Sequence, residues 1–235
     1  MSATSSAPAG MGRQTSLRAQ FIYEWPVRLW HWLTVISIIV LSVTGFYIGR
    51  PFVPAMAGEA TDAFFMGWMR FAHFAAGYIM AVLFLGRIYW AFAGNKYAKE
   101  LVLPPLFSAE VWKDVWLRVR YYMFIVKDVP SHPGPNGLEV VSMFFFFTLP
   151  AIFLILTGFA LYAEGLGIES WAQAMFGWVR HMFGDSQDLH TWHRLSMWVL
   201  IVFVIIHVYL VIRQDVMSKQ SYISTMISGY RMFRD

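Results

Sequence analysis

Residues 188–218 read DLHTWHRLSMWVLIVFVIIHVYLVIRQDVMS, and the spacing inside this stretch decides the fold. From Leu195 to Ile212 no residue carries a formal charge, and TWHR extends the run at its start. A helix needs about 20 mostly apolar residues to cross a hydrocarbon layer about 30 Å thick, so residues 192–212 are read as a membrane span. Inside it, His193 and His207 stand fourteen residues apart. At 100° per residue that is just under four turns, which leaves the two rings within about 40° of one face and about 21 Å apart along the axis.

Three more stretches pass the same length test: LWHWLTVISIIVLSVTGFYI (29–48), FAHFAAGYIMAVLFLGRIYWAF (71–92) and VVSMFFFFTLPAIFLILTGFAL (140–161). Pro150 interrupts the third, which a membrane helix tolerates when neighbours re-satisfy the freed carbonyl. Composition agrees: 58% of the 235 residues are hydrophobic and only 14% are charged, against about 25% charged in ordinary soluble domains. The expected fold is all-α, an integral membrane four-helix bundle over residues 21–218. Residues 1–20, small, polar and basic with no apolar core, are expected to be a disordered tail, and 219–235 a C-terminal tail.

Basic residues set the orientation. The N-terminal arm, the loop between the second and third spans and the C-terminal tail carry Arg28, Lys96, Lys99, Lys113, Arg118, Arg120, Lys127, Arg213 and Arg231, among others. The opposite side holds Arg50, Arg70, Arg180 and Arg194 beside Glu59, Asp62, Glu164, Glu169, Asp185 and Asp188. The positive-inside rule then places both termini in the cytoplasm. In the middle loop, Ser108 followed by AEVWKDVWLRVRYYMF (109–124) gives an N-cap and aromatic and basic residues at helical spacing. Residues 108–125 are expected to form an amphipathic helix on the cytoplasmic membrane surface. KDVPSHPGPNG (127–137) reads as turns.

The chain has no cysteine. Disulfides, cysteine-held iron–sulfur clusters and the covalent attachment of c-type haem are therefore excluded. No basic stripe suggests nucleic acid.

Four of the seven histidines fall inside the spans and can be placed by depth. His31 opens the first span and His207 lies toward the inner end of the fourth; His73 and His193 lie at outer ends. Each level thus has two histidines on different helices. A haem is a flat plate whose iron takes axial nitrogens from both sides, and two facing helices supply them. The expectation is two b-type haems, held by His73 with His193 at the outer level and His31 with His207 at the inner one. Gly45, fourteen residues after His31, and Gly77, one turn after His73, would leave room for a macrocycle. Arg87, fourteen after His73, with Arg70, Arg194 and Arg28, would meet propionates. The competing readings are structural or proton-relay histidines. An H-x-x-H metal site at His190 and His193, with His181 nearby, competes too. Four histidines matched by depth, two of them in register, favour haem. His132 is read as solvated and the 14 methionines as packing.

The segments YEWPVRLWHWLTV (23–35), AGEATDAFFMGWMRFAHFAAGY (57–78), GRIYWAFAGNKY (86–97), TGFALYAE (157–164), residues 188–218 and ISTMISGYR (223–231) resemble the b-type cytochrome subunit of membrane-bound nickel–iron uptake hydrogenases. That family is related to the formate dehydrogenase gamma subunit and bacterial cytochrome b561. The resemblance implies an inner-membrane anchor for a periplasmic hydrogenase, in contact with the large subunit and with a small subunit whose C-terminal transmembrane helix packs on the cytochrome. It implies electron transfer from the small subunit's iron–sulfur cluster through two b haems to membrane quinone, with no hydrogen-activating chemistry in this chain. It also implies the same histidine pairs. Quinone is expected near the inner haem, within reach of Arg28, Arg87, Arg213 and the Tyr97–Glu100 loop. The alternatives are a stand-alone cytochrome b561-type quinone-linked oxidoreductase, the gamma subunit of another periplasmic dehydrogenase, or a haem-free anchor or transporter. The acidic outer connections suggest docking to a partner.

Overall fold

The computed structural model describes residues 17–51, 64–100, 102, 104–129, 134–218 and 221–234. Glu59, Asp62, His132 and residues 1–16, on which expectations were placed above, lie outside them. The chain is mostly helical. Four helical segments are long and apolar enough to cross a membrane: Trp25–Gly49, Phe65–Ala93, Gly137–Leu166 and Ser186–Met217. Each contains an expected span and is longer at both ends.

The first two are α1 (Trp25–Gly49) and α2 (Phe65–Ala93). Pro26 opens α1, where its missing N–H would have had no intrahelical partner. The third is composite. Helix α5 (Gly137–Met143) starts in a capping box, Asn136 and Glu139 each accepting from the other's backbone N–H. A π-turn at Phe144–Thr148 follows, then α6 (Leu149–Leu166). The π-turn sits directly before Pro150. Proline cannot donate to the carbonyl four residues back, and the widened turn accommodates that without breaking the helix. The fourth is α8 (Ser186–Ser218).

Helix α1 packs on α2, and α6 on α8, making two helical hairpins with thinner contact between them. Aromatic edges bridge the two: Phe46 meets Trp198 at 5.1 Å, Phe74 meets Tyr162 at 4.9 Å and Trp30 meets Phe147 at 6.0 Å between centroids. Only 6% of the apolar window in the fourth segment is buried inside the chain. Its surroundings are therefore apolar or supplied from outside the polypeptide.

The connections hold short elements: α3 (Lys96–Glu100), α4 (Ala109–Tyr122), α7 (Trp171–His181) and α9 (Tyr222–Ser228). Helix α4 occupies the stretch expected to be helical. Ser108 stands at its N-cap without a side-chain capping bond. Asp114 on α4 grips Arg118 at 3.0 Å and accepts from the Gly137 N–H at 2.7 Å, which ties α4 to the start of α5. Helix α7 was not foreseen. It packs against α6 through Phe176, stacked on Phe159, and through Val179 beside Ala160 and Leu189.

Within the stretches expected to be tails, described residues form regular structure. Strand β1 (Leu17–Phe21) pairs antiparallel with β2 (Tyr230–Arg234), Phe21 opposite Tyr230. Gly229, at φ 86°, turns the chain between α9 and β2, a left-handed conformation natural to glycine. The Arg231 guanidinium lies 3.5 Å from the Tyr222 ring centroid. Arg28 donates to the Ile227 carbonyl, and Trp32 to that of Met226 at 3.1 Å. This clasp fastens the C-terminal segment to the start of α1.

Candidate functional site

Hydrogen bonds and ring contacts sort the span residues into two tiers. The far tier lies away from the chain ends. There Thr44 Oγ1 is 2.8 Å from Nδ1 of His73, and Thr157 Oγ1 is 2.8 Å from Nδ1 of His193. Each contact is internal to one hairpin, α1 to α2 and α6 to α8. His73 and His193 lie within electrostatic range of one another across the hairpins. A Cβ on Gly45 would stand 3.3 Å from Cε1 of His73, and one on Gly158 would stand 3.4 Å from Cε1 of His193. Each histidine therefore has a glycine under its ring edge, where a larger residue would crowd it. At Gly77 a Cβ would meet nothing within 4 Å, so protein neighbours do not require that glycine.

The near tier lies beside the clasp. It holds His31 on α1, Arg87 on α2, Phe147 in the π-turn, and Phe203 and His207 on α8. The His207 ring is stacked on Phe203, 5.8 Å away, and Phe203 in turn lies 6.3 Å from Phe147. His31 and His207 are within electrostatic range of each other. The tiers are separated by the fourteen residues from His193 to His207, about 21 Å of helix.

Polar atoms concentrate at the near tier. Trp30 Nε1, His31 Nδ1, Thr34 Oγ1 and one Arg87 guanidinium nitrogen are buried with no hydrogen-bond partner among the described residues. Arg87 is 3% exposed. Its other terminal nitrogen donates to the Ala98 carbonyl at 2.7 Å, and its guanidinium lies over the Trp30 ring. A cleft lined by Trp30, Phe84, Arg87, Val102, Phe147 and Thr148 opens beside it. Leaving a buried donor unpaired costs about 1–3 kcal/mol, more when charged. The Trp30 and Arg87 N–H donors, both lining this cleft, therefore fit a group bearing anionic or carbonyl oxygens.

The other expected residues fall as follows. Arg194 places its guanidinium against Gly49 at the far end of α1. Arg70 is exposed in the second turn of α2. Arg28 donates into the clasp at the Ile227 carbonyl, while its Nε is buried with no hydrogen-bond partner among the described residues. Arg213 stacks on Tyr121 and Tyr122 of α4, 5.6 and 5.2 Å from their centroids. Through Ala98, Arg87 touches the Tyr97–Glu100 segment, so two groups weighed separately in the sequence form one site. His190 binds back to the Ser186 carbonyl at 2.8 Å. Among the described residues no group of three His, Cys, Asp or Glu side chains is placed to hold a metal ion.

Sequence reasoning missed Thr44 and Thr157. The signal was present: Thr-Gly-Phe occurs at 44–46 and again at 157–159, each time one span before a far-tier histidine.

The donor sets fit haem. Imidazoles from two helices occupy each tier, and glycines flank the far rings. Unpaired donors suited to propionates surround the near one.

Comparison with known proteins agrees. Residues 22–229 match the family model described as prokaryotic cytochrome b561. A protein of Azotobacter vinelandii named probable Ni/Fe-hydrogenase B-type cytochrome subunit is 56% identical over 217 residues, covering 92% of this chain and 90% of its own. Proteins with the same name from Cupriavidus necator, at 50% identity over 99% of this chain and 95% of theirs, and from Escherichia coli K12 (hydrogenase 1), at 45% over 91% of each, are also similar.

Proposed function

The chain belongs to the prokaryotic cytochrome b561 family, and from that premise we propose that it is the membrane-anchoring dihaem cytochrome b subunit of a nickel–iron hydrogenase, carrying electrons from the hydrogenase small subunit to membrane quinone. Both termini, α4 and the clasp face the cytoplasm, as the distribution of Lys and Arg favours. The far tier then lies toward the periplasm, where the hydrogenase subunits sit on the inner membrane. Relatives that are 45–56% identical and bear the hydrogenase name support the partner.

What supports the reading is that the four span histidines come from separate hairpins, His193 feeling the charge of His73 and His31 that of His207. His73 with His193 would hold the outer haem, and His31 with His207 the inner one. Haem b, when bound, supplies a one-electron carrier at each tier. The chain's own part is to present bare imidazole nitrogens, exclude water with aromatic edges and place charged donors where oxygens arrive. Centres about 21 Å apart along the helix axis, measured from His193 to His207, reach from one side of the hydrocarbon layer toward the other. Arg87, Trp30 and the Ala98 segment serve the inner end, where they would receive a propionate or the oxygen of a quinone. Arg70 and Arg194 stand at the outer end, near the partner.

Membranes containing the assembled complex test the proposal. Addition of hydrogen should bring up b-type absorbance, and a short-chain quinone should discharge it. Membranes lacking the hydrogenase subunits should show neither response. Quinone-linked reduction that persists without hydrogenase would favour a stand-alone oxidoreductase.

A further inference from the structure

Thr44 and Thr157 occupy matching places in the two hairpins. Each hydroxyl lies close to the carbonyl four residues back: Thr44 is 2.6 Å from the Val40 carbonyl oxygen, and Thr157 is 2.7 Å from that of Phe153. A carbonyl only accepts, so the single hydroxyl proton goes there. Toward the histidine, each threonine oxygen can then offer only a lone pair. The facing Nδ1 of His73, and that of His193, must therefore carry the ring proton and donate it at 2.8 Å. In a neutral imidazole with Nδ1 protonated, the lone pair sits on Nε2.

We infer that Thr44 and Thr157 are positioning residues for the outer haem, which fix its two axial imidazoles as Nε2 ligands and set its potential. The inference rests on the proposed haem function and adds residues to it. Hydrogen bonding of the distal ring nitrogen fixes ring orientation and raises ligand basicity. A more basic ligand favours the oxidised iron, so the hydroxyls hold the outer potential down. Both bonds converge on one tier, and neither threonine touches His31 or His207. The effect is therefore confined to the outer haem, which receives electrons first and is drawn below the value its burial alone would give. The Thr-Gly step serves both needs at once, with the hydroxyl bonding the ring and the next residue clearing its Cε1 edge.

The test uses the full chain in its complex, with Thr44→Val, Thr157→Val, the double variant, and Thr44→Ser and Thr157→Ser. Haem content, a redox titration and the ferric low-spin EPR signals are read on each. The outer haem is identified by its loss in His73→Ala. The valine variants should move the outer midpoint upward, with the double variant shifted most, and should alter only the outer EPR signal. The serine variants should return both to wild-type values. If valine loses the outer haem outright, the serine variants decide, and their retention of haem and midpoint supports the inference. Haem-replete valine variants with an unmoved midpoint overturn it, as do serine variants that behave like valine. A wild-type chain without b-type haem would instead defeat the function on which this inference stands.

Discussion

The guanidinium of Arg87 lies 5.4 Å from the ring centroid of Trp30, with both side chains facing the same cleft at the near tier. A cation held 3% exposed in an apolar span is costly unless it has a task. One end is anchored on the Ala98 carbonyl and the other has no partner among the described residues.

Arg87→Met should therefore separate the two ends of the electron path. A lost charge-assisted hydrogen bond is worth about 1.5–3 kcal/mol, which corresponds to about a ten- to hundredfold loss of affinity for the group it serves. Quinone reduction by the complex should fall by that factor, or the inner haem should be lost. Hydrogen-driven reduction of the outer haem should continue. Stopped-flow spectra under hydrogen, with and without quinone, measure both.

Gly45→Leu and Gly158→Leu should each remove the outer haem while the chain still inserts. Their Cβ positions already stand 3.3 and 3.4 Å from histidine ring carbons, and overpacking costs about 1–3 kcal/mol. Haem content and the outer EPR signal should fall. Gly77→Ala, in open space within the chain, should fold with unchanged yield.

The clasp predicts a response to alkali. Burial, reinforced by the Glu139 carboxylate, pushes the Tyr23 phenol well above its ordinary value; burial likewise raises Tyr122. A raised folded pKa means that the native state keeps its proton where the unfolded chain has released it. Tyr23 thus contributes stability that is fully present below about pH 10 and is lost as pH rises above it. The thermal midpoint should fall as pH rises above about 10, and Tyr23→Phe should flatten that fall. Arg231→Ala removes the stacking on Tyr222 and should lower stability by about 0.5–2 kcal/mol at every pH in this range.

Not every acidic residue on the outer connections is free to dock a partner. Glu164 accepts from the Ser186 hydroxyl at 2.6 Å, and Asp185 from the Asp188 N–H at 2.8 Å, so both shape the start of α8. Charge reversal at Glu169 and Asp188 should weaken co-purification of the hydrogenase subunits, more at low salt than at high. Reversal at Glu164 should lower the yield of the chain itself.

The spans were legible in the sequence because a bilayer imposes length and periodicity that local residues must satisfy. His193 and His207 announce one face by spacing alone. Pro150 signalled a disturbance in the third span, though not that a π-turn would absorb it. The pairing of LRAQF with YRMFR could not be read, since five-residue strands over two hundred residues apart carry no local mark of their partner. Helix α7 hid in a connection too short for a span. Thr44 and Thr157 were overlooked because a threonine in an apolar helix ordinarily bonds only its own backbone. The repeated Thr-Gly-Phe becomes meaningful once two hairpins are seen to place it alike.

Haem stoichiometry in the single variants His31→Ala, His73→Ala, His193→Ala and His207→Ala tests the pairing most directly, with redox titration and EPR identifying which centre remains. His73→Ala and His193→Ala should lose the same haem and keep the other; His31→Ala and His207→Ala should do the reverse. Loss of different haems within either pair, or full haem content in any of the four, would contradict the account.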